Sequence, residues 1–214
     1  MDVVLDNLDV FWRGMRTTAS LTVLSFAVAL VVGVVVAACR VSPVPPLRLA
    51  GALYVETVRN TPLTVLMVLF YFGLPEVDLG MARFTAAVVV LGGYTGAFVA
   101  EMVRSGINAV GRGQAEAARA LGLTFPQVLT AVVLPQALRT VVAPLGGLFV
   151  ALIKNSSIAS VIAVEELAFQ TQDLANSTAQ TIPIFLGSAV AYLVLTVPSG
   201  VVIELLDRRL AIRR

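Results

Sequence analysis

The chain has no histidine, one cysteine and one lysine among its 214 residues. Without histidine it lacks the commonest metal ligand and the commonest catalytic base. A single cysteine, Cys39, excludes an internal disulfide. Charge is scarce too: 13% of residues are charged, about half of the roughly 25% found in a soluble domain. With 58% hydrophobic residues and a mean hydropathy of +0.91, the chain is short of the polar surface needed to stay in water. No stretch reads as a disordered linker. No internal repeat is visible, so an inverted-repeat secondary transporter finds no support.

What is present is apolar sequence in long runs. Five of them, at 17–39, 50–73, 84–103, 141–164 and 182–206, each hold roughly 20 to 25 residues, enough to cross a hydrocarbon core of about 30 Å. The first is longer than a signal-peptide core and lacks a cleavage pattern, so it is expected to be a retained span. The expected fold class is an all-α integral membrane protein with five transmembrane helices. Ten arginines, including Arg40, Arg48, Arg104, Arg139, Arg208 and Arg214, fall on one side of such a topology. The other side receives Arg13, Arg16 and Arg83, together with most of the acids, Glu165 and Glu166 among them. The positive-inside rule makes the first side cytoplasmic, which puts the N-terminus outside and the C-terminus inside.

The one long cytoplasmic connection, 104–140, carries its own helix signals. Gln114–Leu121 consists of strong helix formers, and Gly122 is placed as its C-terminal cap. Ala117, Ala118 and Leu121 share a face, and Glu116 lies between Arg112 and Arg119 as an ion-pair partner. A second helix is expected from Thr124, capped with Gln127, with Pro126 in its first turn and Pro135 bending the path back to the membrane. The small-residue face suits close docking of a partner. Packing of a surface helix on its own protein explains it equally well.

Two charged groups fall at membrane depth. Lys154 lies about 13 residues into its run, near the midplane, where an ionised lysine costs roughly 2.5–3.5 kcal/mol and normally faces a partner or a wet cavity. Asn155, Ser156 and Ser157 surround it with donors and acceptors. Three readings stand: the turn lines a substrate path and Lys154 attracts a carboxylate; Lys154 neutralises a buried acid such as Glu101; or it lies nearer the outer surface. Arg59, next to Asn60 and Thr61, falls in the inner third, where structure or gating is favoured over substrate contact. Pro62 leaves the carbonyl of Val58 without its helical donor. Glu101 reaches a similar depth and can bridge to Arg59 or pair with Arg104 at i, i+3. Gly92, Gly93 and Gly96 permit close helix contact.

The stretch GQAEAARALGLTFPQVLTAVVLP resembles the EAA motif of ABC-importer permeases: Glu116-Ala117-Ala118, three residues, Gly122, nine residues, Val132, one residue, Leu134-Pro135. Val132 stands where isoleucine is usual. TVRNTPLTV at 57–65, FVAEMVRSGI at 98–107 and LIKNSSIASVI at 152–162 are similar to the polar amino-acid branch, most of all to glutamate-uptake permeases. The resemblance implies a single permease domain over 1–214 in a bacterial inner membrane. It implies as partners a second permease subunit, identical or related, an ABC ATPase dimer and an extracellular binding protein that delivers an amino acid. No nucleic acid is expected. Gly113, Gln114, Glu116, Ala117, Ala118, Leu121 and Gly122 would form the coupling helix. The chain has no GxxxxGK[ST] sequence, so ATP and magnesium belong to the ATPase. Two rivals remain. One is a passive channel or secondary transporter. The other is an intramembrane hydrolase using Lys154 with Ser157, the only serine of the pair within reach on a helix.

Overall fold

Apolar segments without water must satisfy their own backbone groups, and helices do so within one segment. In the computed structural model of the protein, which describes residues 2–124 and 127–210, every regular element among those residues is helical. The chain runs through α1 (Asp2–Leu5), α2 (Leu8–Val41), α3 (Pro45–Asn60), α4 (Leu63–Gly73), α5 (Arg83–Ala109) and α6 (Arg112–Ala120). It continues through α7 (Leu134–Asn155), α8 (Leu167–Thr178) and α9 (Thr181–Leu210). A 3-10 turn, Leu74–Val77, extends α4; a π-helical segment, Val128–Val133, precedes α7; a second 3-10 segment, Ser156–Ile162, continues it.

Four stretches are long and apolar enough to cross a membrane: Leu8–Val41, Arg83–Ala109, Thr130–Ile162 and Thr181–Arg209. A fifth crossing exists if α3 and the α4 stretch count as one broken span. The expected continuous helix over 50–73 is therefore corrected. It breaks at Thr61–Pro62, and the two halves are bent by 105°. Proline lacks the N–H that would continue the ladder, and its ring disfavours helical backbone at the residue before it. Thr61 accordingly takes extended geometry at φ −99° and ψ 133°. The carbonyl of Val58 is not free, as the sequence suggested, because it accepts the N–H of Thr61 at 3.3 Å.

The other helices overrun the apolar runs that announce them. α2 begins well before Thr17 because Asp9 pairs with Arg13 at 3.0 Å and Arg16 sits 5.3 Å from the Trp12 ring, which supports helix in a stretch of lower hydropathy. α5 passes Val103 and α7 starts at Leu134, with Pro135 tolerated in its first turn rather than marking a bend. α9 runs unbroken through Pro198.

The core is centred on α2 against α5. Val28, Val32 and Val99 press into Gly92, Gly96 and Gly33. A Cβ on Gly92 would lie 2.6 Å from Val28 Cγ1, so only glycine permits this approach. A larger buried cluster joins Leu21 and Leu91 to Leu63 and Met67 of α4 and to Leu152, Ala159 and Ile162. It holds the outgoing half of the broken span against the segment that follows Lys154.

Candidate functional site

Lys154 occupies the last turn of α7, not the middle of a helix, and it is exposed. Beyond it the chain tightens into the 3-10 segment, which ends at Ala163 in left-handed geometry at φ 56°. Asn155 precedes that segment without a side-chain cap bond to it and is half-buried. Ser156 is fully buried and its Oγ donates to the Ile153 carbonyl at 2.7 Å. Ser157 Oγ donates to the Lys154 carbonyl at 2.8 Å. Both hydroxyls are thus turned to backbone carbonyls, and among the described residues neither bonds the lysine ammonium. That arrangement is no Ser–Lys dyad. Nor does Lys154 neutralise Glu101. Among the described residues it forms no ion pair.

Glu101 belongs to arginines. Its carboxylate accepts from Arg40 and from Arg104, and Arg59 approaches to 3.9 Å. Both pairings expected from the sequence, with Arg59 and with Arg104, are present. The third partner, Arg40, was expected only as a loop charge. It enters because Gly51 of α3 lets its aliphatic stem lie flat, 2.8 Å from where a Cβ would stand. Arg59 also sits 5.1 Å from the Phe98 ring. Just beyond it, Asn60 donates to the Glu56 carbonyl at 2.7 Å and Thr61 Oγ1 to that of Thr57 at 2.8 Å, which secures the last turn of α3 before the break.

α6 spans Arg112–Ala120 and packs on the Val128–Val133 segment. It ends in a Schellman motif: Gly122, at φ +85°, donates to the Arg119 carbonyl at 2.9 Å, and Leu123 donates to that of Ala118 at 3.2 Å. Gly113, Gln114, Glu116, Ala117, Leu121 and Gly122 are exposed. The common face expected for Ala117, Ala118 and Leu121 divides. Ala118 is buried at 6% exposure while Ala117 is exposed and Leu121 stands 82% exposed, so only Ala118 turns toward the protein although Leu121 N–H still bonds the Ala117 carbonyl at 3.1 Å. Glu116 does not pair with Arg119, and the Arg112 side chain lies outside the described residues. Thr124 N–H donates to Gln127 Oε1 at 2.8 Å, as the capping pattern requires. Phe125 and Pro126 lie outside the described residues.

One polar centre escaped the sequence reading. Glu166, counted from the sequence only among the charges of a connection, is fully buried. Its carboxylate caps α8, accepting from Ala168 N–H at 2.9 Å and Phe169 N–H at 2.8 Å, and Tyr192 of α9 donates to it at 3.1 Å. Leu167 N–H donates to Thr18 of α2 at 3.1 Å, and Thr171 lies 2.9 Å from Ser188. Burial pushes the Glu166 carboxyl up from its ordinary value, and the two amides act in the opposite direction. An acid directly before the apolar Leu167-Ala168 was the available signal.

Long apolar helices, a broken span, charged groups held among them and an exposed helix on the longest connection describe a polytopic integral membrane protein of the transport type. Residues 29–212 match the family of binding-protein-dependent transport system inner membrane components, and the chain belongs to that family. It is 40% identical over 210 residues to the probable glutamine ABC transporter permease protein GlnM of Bacillus subtilis, covering 98% of this chain and 97% of that one. It is 39% identical to the glutamate transport system permease protein GluC of Corynebacterium glutamicum, over 97% and 95% of the two chains. The crystal structure of an amino acid ABC transporter with histidines superposes with a TM-score of 0.91 at 33% identity, over 96% of each chain. An inward-facing MetNI methionine ABC transporter shares the fold, with a TM-score of 0.76 at 22% identity. The protein is a permease subunit and not an enzyme.

Proposed function

We propose that this chain is the transmembrane permease subunit of an ATP-driven importer for a polar amino acid, L-glutamate, in a bacterial inner membrane. The whole chain, 1–214, acts as one permease domain with its N-terminus outside and its C-terminus in the cytoplasm. A second permease subunit completes the pathway, and an external binding protein delivers the substrate. The exposed row Gly113, Gln114, Glu116, Ala117, Leu121 and Gly122 docks on an ABC ATPase, which binds ATP and magnesium. Its Schellman cap and its packing on Val128–Val133 make α6 rigid enough to transmit a push.

The observation that carries the substrate reading is Lys154. It is an exposed cation with no ionic partner among the described residues, at the end of a long apolar helix and followed by Asn155, Ser156 and Ser157. An exposed ammonium without a fixed counter-ion is free to attract a substrate carboxylate. Arg59, Asn60 and Thr61 border the break in the second span, Glu101 of α5 meets Arg59 there, and the four serve the path as structure or gate rather than as primary contacts.

The test is uptake by the complete importer in liposomes, with wild-type or Lys154→Met subunits. Glutamate, glutamine and arginine transport are followed alongside ATP hydrolysis. Glutamate uptake is expected to fall at least about ten-fold, the equivalent of 1.4 kcal/mol, while binding-protein-stimulated hydrolysis persists. Hydrolysis lost together with uptake would make Lys154 part of the gate. Unchanged uptake would remove it from the path.

A further inference from the structure

We propose that Arg40, Arg59 and Arg104, gathered on Glu101, form a binding site for a phosphate group at the end of the bundle where α2 and α5 give way to their connections. Three guanidinium groups share one carboxylate, a formal surplus of two positive charges. Arg40 and Arg59 each lie in the last turn of a helix, where the dipole offsets about half a charge apiece. A surplus of about one charge remains. Glu56, one turn before Arg59, does not reduce it. It is exposed, makes no ion pair among the described residues, and lies 3.5 Å from Asn60 Nδ2.

The cluster is also incompletely bonded. The Nε of Arg104 is buried and has no hydrogen-bond partner among the described residues. Arg59 and Arg104 remain 38% and 33% exposed, so their remaining N–H groups are open to an incoming group. A singly charged phosphodiester matches the surplus charge, and its oxygens can accept from several guanidinium forks at once. Arg40 stands one residue before the end of α2 and Arg104 five before the end of α5, so the cluster is near headgroup depth. Basic pockets between helices at that depth hold lipid headgroups. The phosphate comes from an anionic phospholipid or from free phosphate in solution.

The test titrates the purified full-length chain in detergent with phosphatidylglycerol, phosphatidylcholine or inorganic phosphate, and counts bound molecules by native mass spectrometry. Phosphatidylglycerol is expected to bind in preference to phosphatidylcholine. Arg59→Gln weakens that preference about five-fold, as loss of one basic residue near a lipid surface does. Glu101→Gln, which removes the negative charge, strengthens it, whereas a purely structural cluster would show no gain. Arg59 is exposed, so its variant folds and decides the matter if Glu101→Gln does not. Inorganic phosphate that displaces the lipid identifies the soluble source, and failure to displace identifies the headgroup. Equal binding of the two lipids, or a preference that survives Arg59→Gln, overturns the site.

Discussion

Glu166 shows how a single side chain can join three helices. It caps α8, receives the Tyr192 hydroxyl from α9, and lies beside Thr18 of α2, whose hydroxyl takes the next backbone N–H. Removing the carboxylate leaves two amide N–H groups and a tyrosine hydroxyl without acceptors in a buried site. Glu166→Ala is expected to destabilise the protein by about 1–3 kcal/mol, the usual penalty for orphaned buried donors. Glu166→Gln, which retains one acceptor oxygen, is expected to lose less. Thermal unfolding in detergent measures both, and an unshifted midpoint for the alanine variant would mean that water replaces the carboxylate without penalty. The cap signal was in the sequence, but burial of the acid was not legible there, because acids in a connection between apolar runs ordinarily face water. Lys154 was the opposite case: as the only lysine in an apolar chain it drew attention at once, although its place in the last turn of α7 depends on where that helix ends.

At the scale of elements, the long apolar runs located the membrane-length helices among the described residues but not their ends. Hydropathy marks where lipid contact is favourable, while a helix continues as long as its backbone bonds do. α2 therefore extends through Trp12 and Arg13, and α9 to Leu210. The break at Pro62 was legible as a missing donor. Its 105° angle was not, because the angle is set by how α4 packs on Ser156–Ile162, about a hundred residues away. Gly92 and Gly96 were legible as contact points, but their partners Val28 and Val32 required the fold. The contact yields a sharp prediction. Gly92→Ala places a methyl 2.6 Å from Val28 Cγ1, and overpacking of this kind costs about 1–3 kcal/mol. Gly147→Ala is the control, since nothing lies within 4 Å of its Cβ position. The first variant is expected to unfold at lower temperature and the second to match wild type. Equal midpoints would show that α2 and α5 separate more easily than their packing suggests.

The whole molecule leaves much of itself uncovered. In its most apolar window α9 is only 6% buried, against 56% for α5, so lipid or a second subunit must cover it. That is expected of a subunit whose pathway needs a partner, and it makes orientation the decisive global property. The proposed orientation rests on the positive-inside rule, with ten arginines assigned to one side against three on the other. The same side carries α6, so one measurement bears on both topology and coupling. Green fluorescent protein fused after Arg214 is expected to fluoresce, since it folds in the cytoplasm, while alkaline phosphatase at the same point stays inactive. The same pair of reporters inserted after Leu79, between α4 and α5, should give the reverse pattern, because an odd number of crossings separates the two points. If both patterns invert, α6 lies outside the cell, where no ATPase can reach its exposed row, and the proposed docking fails with the orientation. If the two sites instead agree, one of the three stretches between them, Arg83–Ala109, Thr130–Ile162 or Thr181–Arg209, does not cross, and the proposed topology fails.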